Sequence, residues 1–192
     1  MNILGYIVVI ALSSCSSTIK DSNDKLFSID NIDTTTIYSS STKPIGSNLF
    51  PKEVLQMNNL KSLTFQGCWT DVKTDTSCRC IKIIPKEIGE LKKLESLRLP
   101  LNCISNLPTE VNKLNSLRIL DLTDNVAFQD LSQLTKIIGL EELYLFGCSI
   151  SKIPDNISNL KRLTKIALTG NPLPESEILK LKLALPNCEV IF

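Results

Sequence analysis

The sequence predicts an α/β solenoid, in which a short strand and an irregular or short helical segment alternate along the chain. Two observations predict it. Leucines recur with the spacing Leu-x-x-Leu-x-Leu, and the pattern returns every 23 residues in copies that begin at Leu94, Leu117, Leu140 and Leu163. The segments between these copies repeat as well. A fixed period of this length is typical of repeat proteins, whose units stack and share one continuous core.

Each copy continues into a polar or cysteine residue and a further apolar residue. The four copies read Leu94, Leu97, Leu99, Asn102, Ile104; Leu117, Leu120, Leu122, Asn125, Ala127; Leu140, Leu143, Leu145, Cys148, Ile150; and Leu163, Ile166, Leu168, Asn171, Leu173. An earlier copy, with Leu60, Leu63, Phe65 and Cys68, begins 34 residues before Leu94, which is one period plus eleven. We therefore expect an insertion at about 69–82.

The other half of the period carries a proline signature. It reads Ile84-Pro85-Lys86-Glu87-Ile88, Leu107-Pro108-Thr109-Glu110-Val111 and Ile153-Pro154-Asp155-Asn156-Ile157, with Phe50-Pro51-Lys52-Glu53-Val54 before the first copy. The chain thus resembles the leucine-rich-repeat family over 49–192, in the variety with a Leu-Pro-x-x-Ile signature. The resemblance implies a short curved parallel sheet on the concave face and irregular, 3-10 or short helical segments on the convex face. The copy that begins at Leu117 lacks the proline in its outer segment, Asp130-Leu131-Ser132-Gln133-Leu134, where an apolar residue is shifted by one place, and we expect this segment to be more helical.

In such a solenoid the template leucines point inward and the residues between them point outward. Leu63, Leu97, Leu120, Leu143 and Ile166 should form one buried column. The asparagine of each copy should bond backbone groups left unpaired where the chain turns. In two copies Cys68 and Cys148 take its place, which we interpret as buried thiols.

The repeat period places the outward-pointing residues of successive copies in two columns on the concave face. One holds Thr64, Arg98, Asp121, Tyr144 and Ala167, and the other holds Gln66, Pro100, Thr123, Phe146 and Thr169. Tyr144 and Phe146 are neighbouring aromatics flanked by Arg98 and Asp121, a composition expected of a binding hot spot. The alternative is that the two rings only pack against each other. The resemblance also favours the concave side for binding.

Both ends of the chain differ from the repeats. Residues 1–14 contain an apolar run too short to span a membrane, and they read as a signal peptide. Leu12-Ser13-Ser14-Cys15 resembles the bacterial lipobox, which implies cleavage before Cys15 and lipid on that residue. The alternative is an ordinary secretory signal. Residues 15–48 are rich in Ser and Thr and read as a tether, or as strands at 26–29 and 36–38 that cap the solenoid. Residues 174–192 read as a capping helix and strand, with Val190 and Phe192 on one side.

Six cysteines besides Cys15 invite disulfides in an exported chain. Those near the insertion are Cys68, Cys78, Cys80 and Cys103. We favour Cys80 with Cys103 and Cys68 with Cys78, and expect Cys148 and Cys188 to be buried free thiols. A four-thiolate zinc site is the alternative, although a Cys-x-Cys spacing is unusual for zinc.

The composition argues against several classes of function. The chain has 21 Lys and Arg, 20 Asp and Glu, and no histidine. A balanced charge without a basic block disfavours nucleic acid as a partner, and the lack of histidine removes the usual general base and the commonest metal ligand. We therefore expect no enzyme, no cofactor and no metal.

The favoured function is recognition of a protein or other envelope or extracellular ligand on the concave face. The lipid would hold the chain at the bacterial cell envelope, and Ser16 after Cys15 resembles the pattern of outer-membrane sorting. The alternative is a thiol-dependent redox or metal-binding protein that uses Cys78 and Cys80.

Overall fold

The computed structural model describes part of the chain. It describes the backbone at 8–9, 18–20, 26–28, 36–40, 50, 52–67 and 80–192, and the side chains at 50, 54–67 and 80–192. Cys15, most of the expected signal peptide and tether, and most of the insertion, with Cys68 and Cys78, lie outside these residues.

The solenoid is built on six parallel strands that succeed one another along the sheet. They are β5 (Ser62–Gln66), β6 (Ser96–Arg98), β7 (Ile119–Asp121), β8 (Glu142–Tyr144), β9 (Lys165–Ala167) and β10 (Glu189–Ile191). Every pairing between them is parallel. The α/β leucine-rich-repeat fold that the sequence predicts is confirmed.

The register of the strands follows the 23-residue period. Leu97 pairs with Leu120, Leu120 with Leu143 and Leu143 with Ile166. The whole predicted column, from Leu63 to Ile166, is no more than 1% exposed. Because one unit cannot bury its apolar face alone, this shared column joins the repeats into a single core.

The convex side is formed by 3-10 helices. They span Lys52–Gln56, Lys86–Glu90, Thr109–Lys113, Leu134–Lys136 and Asp155–Asn159. Pro85, Pro108 and Pro154 each precede one of these helices with φ between −70° and −65°. Proline fits there because its fixed φ suits the start of a helix and its missing N–H has no partner to lose.

The copy that begins at Leu117 departs from its neighbours, but not in the way predicted. Its 3-10 helix has three residues where those of the flanking copies have five, so the outer segment is not more helical. The Asp130 carboxylate instead accepts hydrogen bonds from the Ser132 N–H and hydroxyl, both at 2.8 Å. The inward position assigned to Ala127 is taken by Phe128, which is fully buried while Ala127 is exposed.

A helix and a strand close the carboxyl end. Helix α1 (Glu175–Ala184) buries Leu181 against the core, and β10 pairs with β9. Phe192 does not join Val190 at the core: its ring is 55% exposed, with the Lys182 Nζ 4.6 Å from its centroid.

Four short strands precede the repeats. β1 (Val8–Val9) pairs with β4 (Thr36–Ser40), and β4 pairs with β5, all in parallel. β2 (Thr18–Lys20) and β3 (Leu26–Ser28) form a separate antiparallel pair. Of the two segments considered as capping strands, the one at 36–38 therefore extends the solenoid sheet and the one at 26–29 does not.

Candidate functional site

The concave face carries three outward columns, one more than the sequence analysis considered. The register places Arg98 beside Asp121, Asp121 beside Tyr144 and Tyr144 beside Ala167, as the period predicts. The column overlooked from sequence holds the first residue of each strand: Ser62, Ser96, Ile119, Glu142 and Lys165. It contributes Glu142 to the site. We call Arg98, Asp121, Glu142, Tyr144 and Phe146 the concave patch.

Arg98 joins two neighbouring strands of the concave patch. Its guanidinium Nη1 lies 3.8 Å from Oδ2 of Asp121 on β7, and its Cζ lies 5.8 Å from the ring centroid of Tyr144 on β8. The Asp121 carboxylate also accepts a hydrogen bond from the Thr123 N–H at 2.9 Å. These contacts hold Arg98 across the face while a third of its side chain stays exposed.

Glu142 fixes the hydroxyl of Tyr144. The Tyr144 hydroxyl donates a hydrogen bond to Glu142 Oε2 at 2.8 Å. That bond, together with burial, raises the pKa of Tyr144 above its ordinary value, while the charge of Arg98 opposes the change. Tyr144 is therefore a neutral, oriented ring at neutral pH, available for contact but not for proton transfer.

Phe146 is the exposed apolar group of the concave patch, with 43% of its surface accessible. Within the described part of the chain, Phe146 makes no ring contact with Tyr144, and the ring of Tyr144 faces Arg98 instead. The alternative that the two aromatics merely pack together therefore gains no support from a ring contact between them. The concave patch thus combines an exposed ring with arginine and tyrosine, the residue types that are enriched at binding hot spots.

Ala167 is less exposed than its predicted outward position suggests, and Asp124 is an acidic residue near the concave patch that the prediction did not include. Ala167 is only 5% exposed, because its one-carbon side chain lies between Tyr144 and Ile191 on the neighbouring strands.

Asp124 follows β7 and donates its backbone N–H to the Phe146 carbonyl. Burial and the charge of Asp121 raise the pKa of the Asp124 carboxyl.

The turn asparagines have the structural role that the sequence predicts. Asn125 Oδ1 accepts from the Ile104 N–H at 2.9 Å, and its Nδ2 donates to the Leu99 carbonyl at 2.8 Å. In the next copy Cys148 Sγ donates to the Leu122 carbonyl at 3.3 Å, which reproduces the donor half of this pattern. Burial raises the pKa of the Cys148 thiol to about 12. Cys148 is thus a buried structural thiol.

The remaining described cysteines give little support to thiol chemistry. A disulfide joins Cys80 and Cys103, the pair favoured from sequence, so Cys80 has no free thiol to share with Cys78. Cys188 is free, but it is only partly buried, whereas full burial was expected. Burial and the charge of Glu189 raise the pKa of its thiol to about 11. Cys78 and Cys68 lie outside the described residues, so their pairing stays a prediction.

Two further features of the described ranges bear on function. Within them, no three acidic or cysteine side chains come together in a way that could hold a metal ion. None of the helices there is long and apolar enough to cross a membrane.

Solved structures share the fold. No protein-family model and no curated protein matches the sequence. A leucine-rich-repeat protein of Leptospira interrogans is 23% identical with a TM-score of 0.57, and the match covers 83% of this chain and 46% of that one. Internalin InlF of Listeria monocytogenes is 21% identical with a TM-score of 0.60, covering 81% and 39%, and internalin C2 of the same organism is 20% identical with a TM-score of 0.59, covering 83% and 61%. The chain therefore spans about two fifths to three fifths of the length of these proteins. The repeat period, the parallel sheet and these likenesses show that the chain has the leucine-rich-repeat fold.

Proposed function

We propose that this protein is a non-catalytic recognition module that binds a partner protein with the concave face of its solenoid. The observation that carries the proposal is the concave patch. Phe146 is 43% exposed there, and contacts across three strands hold Arg98, Glu142 and Tyr144 in place. Binding hot spots combine aromatic and arginine side chains in this way, and a rigid scaffold keeps the entropy cost of binding low.

The chemistry of the described residues favours binding over catalysis. The chain has no histidine. Of the described cysteines, two are joined in a disulfide and the other two have raised pKa values. Nucleophilic thiols need the opposite shift, toward a lower pKa.

We further propose that a lipid on Cys15 displays the module at a bacterial cell envelope, in the outer membrane. The Leu12-Ser13-Ser14-Cys15 motif supports this proposal. The Cys80–Cys103 disulfide is compatible with it, because disulfides persist mainly in exported proteins. In the processed chain β1 would be removed, and β4 would become the edge strand of the sheet.

The binding proposal is tested by quantitative affinity capture from envelope and extracellular extracts. Three full-length baits are compared: the natural protein, the Tyr144→Ala, Phe146→Ala double variant, and Phe192→Ala. The last is a matched control, because it removes an exposed aromatic whose ring lies against Lys182 of the terminal helix α1. We expect partners retained by the natural protein and the control to be lost by the double variant, with its thermal midpoint nearly unchanged. Equal capture by all three baits would contradict the proposal.

The anchor is tested by intact mass of the protein purified from a membrane fraction. We expect a chain that begins at Cys15 and carries diacyl or triacyl lipid, and a Cys15→Ala variant that leaves the membrane fraction. An unprocessed chain, or an unlipidated soluble product, would contradict the anchor and leave the binding proposal to its own test.

A further inference from the structure

One column of the concave face already holds a cation of the chain itself. Arg98 lies 3.8 Å from a carboxylate oxygen of Asp121 and 5.8 Å from the centroid of the Tyr144 ring. The carboxylate and the ring come from the next two strands of the sheet. A carboxylate with an aromatic face is a favourable environment for guanidinium or ammonium groups.

The adjacent column has an aromatic residue, Phe146, without a cation of the chain. Phe146 follows Tyr144 by two residues and stands exposed, while Pro100 occupies the place that corresponds to Arg98. Thr123 occupies the place that corresponds to Asp121, and the nearby carboxylate is that of the next residue, Asp124. Among the described residues it makes no ion pair and accepts no hydrogen bond, unlike Asp121.

The backbone brings Asp124 and Phe146 together. The Asp124 N–H donates to the Phe146 carbonyl at 2.6 Å. The Asp124 carboxylate lies over Gly147, where an added Cβ would stand 2.2 Å from Oδ1. Gly147 has φ +60°, a conformation that side chains disfavour. The missing side chain at 147 therefore leaves room for the carboxylate over the residue that directly follows Phe146.

The local charge leaves Asp124 uncompensated. Arg98 is engaged with Asp121 and Tyr144, and the charge of Asp121 adds to burial in raising the pKa of Asp124. A positive group that entered between Asp124 and Phe146 would relieve this repulsion and would contact the face of the ring.

We propose that Phe146 and Asp124 form the seat for a cationic side chain, arginine or lysine, presented by the partner protein. The proposal rests on the proposed recognition function and names the chemistry of the partner at the concave face. It predicts a salt-sensitive contact, because the Asp124 carboxylate is partly exposed. A partner that offered an acidic group at this position would be repelled by Asp121 and Asp124.

The test uses a small cationic probe, so that no partner need be known. Full-length protein with carbon-13-labelled Phe and Asp is titrated with N-acetyl-arginine methylamide, and separately with the citrulline analogue, which has the same shape and no charge. The Phe146→Ala spectrum assigns the Phe146 ring signal. Probe concentrations reach about 50 mM, since one such contact corresponds to a dissociation constant on the order of tens of millimolar or weaker.

We expect the arginine probe to shift the Phe146 ring and Asp124 carboxyl signals, and the citrulline probe to shift them several-fold less. Asp124→Asn should remove the response, because Asn tolerates the left-handed φ of 56° at this position but carries no charge. Glu175→Gln, an exposed acid on α1, should leave the response unchanged.

Equal shifts with both probes, no shift with arginine, or an unchanged response in Asp124→Asn would overturn the proposal. These failures are distinguishable from failure of the recognition function. If the Tyr144→Ala, Phe146→Ala variant loses its captured partner while the arginine probe has no effect, the concave face binds a partner without a cation at Asp124.

Discussion

The guanidinium of Arg98 contacts the ring of Tyr144 although a whole strand, β7, separates the strands that carry them. Arg98 reaches across Asp121 to do so. The long side chain thereby links three consecutive repeats on the face that we propose for binding. Because the contacts are partly exposed, they orient the concave patch more than they stabilise the fold.

The hydrogen bond from Tyr144 to Glu142 predicts opposite effects of two substitutions on the pKa of Tyr144. Glu142→Gln should lower it, because the bond to the carboxylate is the main cause of its increase. Arg98→Ala should raise it further, because the cation opposes the increase. A pH titration of the labelled Tyr144 ring by NMR measures both, and shifts of the same sign in the two variants would contradict the geometry.

The same Arg98→Ala variant should cost little stability. Exposed ion pairs and cation–π contacts each contribute up to about 1 kcal/mol, so the free energy of unfolding in urea should fall by about 2 kcal/mol at most. A much larger loss would mean that Arg98 is a structural residue and not a presented one.

Asn125 should matter far more to stability than a surface asparagine. Its side chain is fully buried and bonds the Ile104 N–H and the carbonyls of Leu99 and Leu122. Asn125→Ala would leave these backbone groups buried and unpaired, at a cost of about 3 kcal/mol. Asn106→Ala is the matched control, since Asn106 is exposed and bonds only Ser105. Urea unfolding of both variants checks the difference, and similar small losses would refute the structural role of Asn125.

The sequence predicted the parts of the molecule that depend on the period alone. A 23-residue repeat fixes which residues face each other across parallel strands, so the Arg98, Asp121 and Tyr144 column followed by counting. The period could not predict how far the side chains on adjacent strands cover a residue. Ala167 obeys the outward rule but is covered by the larger residues on either side, and contact between Arg98 and Tyr144 depends on side-chain reach.

The repeat that begins at Leu117 shows a second limit of prediction from the period. Phe128 replaces Ala127 in the core because the convex segment is displaced by one residue after Asn125, and the displacement is recovered by Leu134, one period after Val111. A template with fixed positions does not allow for such a local shift. The signal was present in Phe128 itself, a large apolar residue without a template position.

Cys148 should resist alkylation in the native protein. Its raised pKa, about 12, leaves very little thiolate at pH 8. We expect iodoacetamide to label Cys148 only after denaturation, as measured by mass spectrometry of the peptides. Rapid native labelling would show that the thiol is exposed or activated.

Ionisation of Cys148 should also make stability depend on pH. The unfolded thiol ionises near pH 9 and the folded thiol near pH 12, so ionisation favours the unfolded state over this range. The free energy of unfolding of the natural protein, relative to Cys148→Ser, should fall as the pH rises from 9. A constant difference between the two would contradict the burial of the thiol.

The Cys80–Cys103 disulfide should stabilise the first turns of the solenoid. It closes a loop of 23 residues, and a crosslink of this span stabilises by about 3 kcal/mol through restriction of the unfolded chain. The double variant Cys80→Ser, Cys103→Ser should lose about this free energy of unfolding in urea. Cys188→Ser, which alters a free cysteine, serves as the control and should lose less than about 1 kcal/mol.

The central claim, that the concave face is the binding surface, is tested most directly by hydroxyl-radical footprinting of the natural protein with and without a captured partner. This measurement needs no substitution and reads aromatic side chains individually. We predict that Tyr144 and Phe146 are oxidised more slowly in the complex, while Phe192 on the terminal cap reacts at the same rate. Slower oxidation of Phe192 with unchanged Tyr144 and Phe146 would contradict the claim and would place the partner on the cap.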